Sequence, residues 1–228
     1  MLIAELGINH LGNMDLARKM ILLAKDNGAT LAKLQFYLTE NLSRSSNTLE
    51  LLKKHQLSEE NGKMLFDFGE AHGIEVFFSV FDVECVEWCE RIGVKRYKIA
   101  ARMDNPDVLG AIADTRKPVI ASVSHRFPRP HNWNDIFWGA DLLYSVSKYP
   151  EPISSLNFSN VDFTTTFNGF SDHTIGITAA KIALARGARI IEKHFAVDHD
   201  TGADAIWSMT PSELKRLALF EKAVKEIL

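Results

Sequence analysis

Cysteine is nearly absent. Cys85 and Cys89 are the only two in 228 residues, and they stand four apart on a stretch expected to be helical. Two thiols alone make a poor metal site, so both are read as reduced and partly buried, as befits a cytoplasmic protein. No excess of one charge sign is present: a net charge of −3 and a pI near 6.2 provide no basic footprint for nucleic acid. Long apolar runs are missing too. Nothing approaches the roughly 20 residues that span a bilayer, so no membrane partner is expected. The first residues enter Leu2-Ile3-Ala4-Glu5 without a charged leader or cleavage site, so no signal peptide is expected.

What is present is alternation. Short β-branched runs at 2–6, 31–36, 75–79, 96–99, 119–122, 142–145, 169–171 and 189–193 are separated by stretches of helical period. That rhythm predicts parallel strands joined by crossover helices. Eight such units in a 46% hydrophobic chain predict one α/β domain over 1–228, a compact (β/α)8 TIM barrel. Caps support it: Asn13, Ser58, Asp82 and Asn105-Pro106 open helices, Gly28, Gly73 and Gly93 close them, and Thr210-Pro211-Ser212-Glu213 is a capping box on the last.

Two crossovers break the rhythm. The segment around His125-Arg126-Phe127-Pro128-Arg129-Pro130-His131-Asn132-Trp133 is too proline-rich for a full helix, and 149–169 has no helical period. The fifth and sixth outer helices are therefore expected to be short or missing. Phe127, Trp133, Phe137, Trp138, Phe158, Phe163 and Phe167 concentrate there. They are expected to cover the bare flank, to form the interface of a homo-oligomer, most simply a homodimer, or both.

The chemistry gathers at strand ends, where a barrel of this kind carries its functional groups. His173 in Ser171-Asp172-His173-Thr174 and His194 in Glu192-Lys193-His194-Phe195 each follow a strand run. Imidazoles delivered from adjacent strand ends are a natural divalent-metal site; the plainer reading is a pair of hydrogen-bonded barrel histidines. Lys33 sits in Ala32-Lys33-Leu34-Gln35-Phe36, where an unpaired ammonium would be costly unless it faces an anion. Lys98 in Tyr97-Lys98-Ile99-Ala100 argues the same way.

Together with Glu5 in Ile3-Ala4-Glu5-Leu6-Gly7-Ile8-Asn9-His10, these motifs resemble the sialic acid (N-acetylneuraminate) synthase family. The likeness runs from residue 1 to about 215. It implies condensation of phosphoenolpyruvate with an aldose, in that family a 2-acetamido sugar, to a 2-keto-3-deoxy sugar acid. It implies that His173 and His194 ligate a divalent metal, manganese with magnesium or cobalt as alternatives. Lys33 and Lys98 would neutralise phosphoenolpyruvate, and Glu5 would handle the water that attacks C2. Ser79, Ser122, Ser147 and Ser171 would contact phosphate; Gln35, Tyr149 and Asp204 would contact the sugar. Asn9 and His10 are expected to shape their loop.

The chain departs from the family in four places. Lys-Ile-Ala-Ser ends in Ala101, Gly-Pro-Asp-His becomes Gly202-Ala203-Asp204-Ala205, and Ser-Thr-Gly-Met becomes Ser122-Val123-Ser124-His125. Full-length members also carry a C-terminal antifreeze-like domain, which is not expected within these 228 residues. The acceptor half is thus altered more than the phosphoenolpyruvate half. Two other readings stand beside this one: a 3-deoxy-octulosonate-type synthase with a different aldose, and a non-catalytic barrel that binds metal or an anion as an interaction subunit.

Overall fold

In the computed structural model, which describes residues 1–42, 45–124, 137 and 139–227, eight parallel strands close into a barrel in chain order. They are β1 (Leu2–Gly7), β2 (Leu31–Phe36), β3 (Glu75–Val80), β4 (Tyr97–Ile99), β5 (Val119–Val123), β6 (Asp141–Ser145), β7 (Gly169–Asp172) and β8 (Ile190–His194). β1 pairs with both β2 and β8, which completes the ring. Around it lie α1 (Met14–Asp26), α2 (Ser46–His55), α3 (Glu59–His72), α4 (Val83–Ile92), α5 (Pro106–Asp114), α6 (Thr178–Ala185) and α7 (Pro211–Ile227). The fold is a (β/α)8 barrel. Among the described residues no helix is long and apolar enough to cross a membrane.

Local chemistry explains the boundaries. Asn13 accepts from the amides of Asp15 and Leu16, Asn105 from those of Asp107 and Val108, and Ser58 from that of Asn61. Each satisfies amides that a helix start leaves without partners. Gly73 and Gly93 close α3 and α4 in the left-handed region, at φ 73° and 90°, where a side chain would be strained. In the last capping box Glu213 accepts from the Thr210 amide at 2.9 Å. Asp82 is a correction. Its side chain does not cap α4; it accepts from the Leu38 amide at 2.7 Å and from Asn41 Nδ2 at 2.8 Å, tying down the loop after β2.

Strand alternation sorts the side chains into two cores. Ile3, Leu31, Phe77, Ile120, Leu143 and Ile190 pack together inside the barrel and fill its lower half. Outward-facing residues such as Leu2, Phe36, Phe78 and Phe170 pack with the helices. The β6–β7 crossover has no α-helix, as expected; it carries two 3-10 turns, Ile153–Ser155 and Phe158–Asn160. Phe158 packs edge-on against Tyr144, Phe163 and Phe170, and Phe167 against Tyr144, so these rings cover the strands directly. The fifth crossover, with Phe127, Trp133 and Trp138, lies outside the described residues. Phe137 is buried in the outer core.

Candidate active site

Above the apolar plug the inward positions turn polar. Register brings them level: Glu5 pairs with Lys33 on one side and His194 on the other, Gln35 with Ser79, Ser79 with Lys98, and Ser171 with Glu192. The result is a cleft of about 300 Å³ at the C-terminal mouth. Of the residues anticipated from sequence, Glu5, Lys33, Lys98, Gln35, Ser79, Ser122, Tyr149, Ser171, Asp204, His173 and His194 all line it. Ser147 does not. The Lys148 amide donates to the Val146 carbonyl, a tight turn that ends the in–out alternation. Ser145, still on β6, faces the cleft instead, while the Ser147 hydroxyl is buried without a hydrogen-bond partner.

Four buried charges form the floor. Lys33 Nζ lies 2.5 Å from Glu5 and 3.7 Å from Glu192; Lys98 Nζ lies 3.5 Å from Glu192. Lys98 also donates to Ser122 Oγ at 2.7 Å and to the Ile99 carbonyl at 2.9 Å. Ser171 donates to Glu192 at 2.9 Å, and Gln35 to Glu5 at 2.8 Å. Burial pushes the Glu5 carboxyl up against the opposing pull of Lys33. Burial also opposes ionisation of Glu192, but Lys33 and Lys98 together hold it below the usual carboxylate range. Lys33 is raised because Glu192 and Glu5 outweigh its desolvation. Lys98 is lowered to about 8, chiefly by burial.

Glu192 is thus the hub of the floor, and motif reading missed it by attending to His194. Period-two alternation was the available signal: Glu192 and His194 must share a face of β8. Arg102, Ser145 and Trp207 also line the cleft without having been anticipated.

On the β7–β8 side the His173 and His194 rings stand 5.6 Å apart. Burial holds His173 down to about 3 and His194 well below its ordinary value, so both are neutral and able to offer a lone pair. His173 Nδ1 faces the Val146 carbonyl at 3.3 Å, which leaves Nε2 available. Asp204 approaches His194 Nδ1 to 3.3 Å, though out of line for a hydrogen bond. Ligand bonds of about 2.1 Å allow two rings at this separation to share an ion. Among the described residues no group of three His, Cys, Asp or Glu side chains converges as a complete metal cage. The protein therefore offers two nitrogen donors, a set that fits an open site completed by water or substrate oxygens.

The rim is aromatic and polar. The Tyr149 ring lies 4.4 Å from His173 and 6.3 Å from Trp207, and burial raises its hydroxyl to about 12. Asp204 is raised to about 7 by burial and then by Glu5. Its backbone amide donates to Asn9 Oδ1 at 2.7 Å, while Asn9 Nδ2 donates to the Phe195 carbonyl and Ser208 Oγ, both at 3.0 Å. Asn9 is buried and shapes the loops, as expected. A Cβ on Gly202 would come within 2.5 Å of Asn9 Oδ1, so the close approach that seats Asp204 requires glycine there.

Comparison with known proteins places the chain in a family. The NeuB family model matches residues 20–228. The chain is 32% identical to the N,N'-diacetyllegionaminic acid synthase of Legionella pneumophila, over 95% of this chain and 69% of that protein. It is 31% identical to the pseudaminic acid synthase of Campylobacter jejuni, over 95% and 71%. It superposes with a TM-score of 0.91 and 31% identity on the crystal structure of an N-acetylneuraminic acid (sialic acid) synthetase from Leptospira borgpetersenii in complex with citrate, covering 99% of this chain and 84% of that one. The chain belongs to the NeuB family.

Proposed function

We propose the following assignment of residues to the chemistry of this cleft. The protein is a transferase of carbohydrate biosynthesis that condenses phosphoenolpyruvate with an aldose, forming a C–C bond, to give a 2-keto-3-deoxy sugar acid. C3 of phosphoenolpyruvate bonds to the aldehyde carbon as the carbonyl π bond opens to a hydroxyl that takes up one proton, water adds at C2 giving up one proton, and the tetrahedral intermediate collapses to the ketone as it expels phosphate. Lys33 and Lys98, with Ser79, Ser122 and Ser171, hold the anion. Glu5, fixed by Lys33 and Gln35, takes a proton from the water that attacks C2. Gln35, Tyr149 and Asp204 orient the aldose, an N-acetylhexosamine in our reading. His173 and His194 would hold the divalent ion of this chemistry, manganese by preference with magnesium or cobalt as alternatives; when bound it supplies Lewis acidity at the aldehyde oxygen. We further read residues 1–228 as one domain of a cytoplasmic homodimer.

The observation that carries this assignment is the ring of four paired charges on the cleft floor. Buried ion pairs are costly to assemble for stability alone, whereas two ammonium groups beside three hydroxyls suit a phosphorylated carboxylate. The test is phosphate release from phosphoenolpyruvate against a panel of aldoses, with and without manganese. Release with one aldose, abolished by chelator and restored by manganese, is expected. If no aldose elicits release, the non-catalytic barrel replaces this reading.

A further inference from the structure

Charge bookkeeping of the cleft leaves one cation over. Lys33 and Lys98 are each engaged with Glu5 or Glu192, two ammonium groups against two carboxylates. Phosphoenolpyruvate is close to a trianion at neutral pH, so this floor alone presents it with no net positive charge. Asp204, the remaining acid of the lining, adds none. A divalent ion on the histidines offsets two of the three negative charges. The third needs a cation that no carboxylate has already neutralised.

Arg102 is that cation. It lines the cleft, is exposed at its mouth, and forms no ion pair among the described residues. Its Nη2 donates to the Ser147 carbonyl at 2.8 Å, and its guanidinium lies 5.6 Å from the centre of the Tyr149 ring. A neutral carbonyl is a weaker acceptor than a phosphate oxygen, so this parking contact is readily exchanged. Arg102 follows Lys98 by four residues, and the wall between them includes Ala100 and Ala101, which offer only methyl groups. No side-chain donor on that wall competes for an anion lying between Lys98 and Arg102.

We propose that Arg102 is a specificity-determining residue for phosphoenolpyruvate, leaving the Ser147 carbonyl to grip the phosphate from above while Lys98 holds it from below. The proposal rests on the condensing reaction assigned above. A planar guanidinium engages two phosphate oxygens at once, which an ammonium cannot do. Arg102 thus makes the cleft select a phosphorylated ligand over its dephosphorylated counterpart.

The test measures binding of phosphoenolpyruvate, inorganic phosphate and pyruvate by calorimetry with manganese present, for the wild type, Arg102→Gln, Arg102→Ala and Arg102→Lys. Arg102→Gln keeps a donor for Ser147 without the charge, so a fault in loop structure alone would spare it. Both neutral variants should weaken phosphoenolpyruvate and phosphate about ten-fold or more, leave pyruvate within about two-fold, and melt like the wild type. Arg102→Lys should recover part of the loss. In turnover the KM for phosphoenolpyruvate should rise while that for the aldose stays put. Unchanged binding of phosphoenolpyruvate and phosphate overturns the proposal, as does a rise confined to the aldose KM, which would assign Arg102 to an anionic acceptor. If the wild type itself fails to bind phosphoenolpyruvate, the condensing reading falls and this proposal with it. Equal binding by wild type and variants strikes Arg102 alone.

Discussion

Lys33 and Lys98 are both buried beside Glu192, yet their proton affinities move in opposite directions. Lys33 has two carboxylates, at 2.5 Å and 3.7 Å, and together they outweigh its desolvation. Lys98 has one at 3.5 Å, and the repulsion of Lys33 adds to burial, so it drops to about 8. The ligand-free cleft at that pH holds Lys98 half protonated, and an arriving anion favours the charged form. Binding of phosphoenolpyruvate should therefore take up about half a proton at pH 8 and weaken as pH rises further, by up to about ten-fold per unit. Calorimetry in two buffers of different ionisation enthalpy measures the uptake; no proton linkage between pH 7 and 9 would sink the prediction. The sign for stability is opposite. Unfolded Lys98 regains its ordinary value of 10.5, so the unfolded chain binds more protons above pH 8, and this group adds stability to the empty protein between about 8 and 10.5.

Residue identity was legible wherever chemistry and strand period agreed. His173 and His194 stand out because each closes or follows a strand run, Lys33 because it is a charge inside an apolar one, and Glu5 through the motif that carries the family resemblance. Ser147 rested on the family resemblance alone, and the turn after β6 takes it out of the cleft lining. Glu192 was overlooked because a glutamate beside a lysine reads as a solvated pair, although both of these side chains are buried and face opposite sides of β8. Arg102 had no signal of its own, since an arginine in a loop is the commonest of surface features.

At the scale of elements, β7 and β8 are joined behind the histidines by a further, fully buried ion pair. Lys193 Nζ stands 3.2 Å from Asp172 and donates to the Thr174 carbonyl at 2.5 Å; Thr174 in turn donates its amide and hydroxyl to Asp172 at 2.8 Å. His173 and His194 are the residues that immediately follow Asp172 and Lys193. Lys193→Met should destabilise the fold by about 3–5 kcal/mol by leaving the Asp172 charge unpaired. The double variant Asp172→Asn, Lys193→Met should recover most of that loss in denaturant melts. A double variant as unstable as the single would show that the pair contributes more than mutual neutralisation.

α3 and β2 set a different constraint. Gly62 faces Phe36 so closely that an added Cβ would meet Phe36 Cζ at 2.0 Å. Phe36 cannot retreat, being stacked on Phe78 at 4.1 Å and edge-on to Trp88 at 5.5 Å. Gly62→Ala gains up to about 1 kcal/mol of helix preference but overpacks the core at a cost of about 1–3 kcal/mol. The clash should win and the melting temperature should fall; a rise would refute it. Cap and stop residues in the sequence mark α1, α3, α4, α5 and α7, but neither α2 nor α6. The first amides of neither helix are held by a capping side chain, so a start signal of that kind is missing.

For the whole molecule the open question is how a parallel barrel, apolar on both faces of its strands, keeps its β5–β7 flank dry. Part of the answer is internal. Phe158, Phe163, Phe167 and Tyr144 interlock with Phe170 of β7, so these rings are occupied as cover. Ile153 in the same crossover remains 57% exposed, and Phe127, Trp133 and Trp138 belong to the same stretch of chain. We predict that this flank, 127–167, joins two copies of the chain, since aromatic side chains dominate the centre of stable interfaces. Light scattering at micromolar concentration should give twice the 25.6 kDa chain mass. Trp138→Glu should dissociate the dimer or unfold it, whereas Leu219→Glu on α7, where Leu219 is 61% exposed, should do neither. A stable monomer at that concentration would defeat the dimer and leave the packed aromatics as cover alone. Dissociation by Leu219→Glu would move the interface to the far side of the barrel.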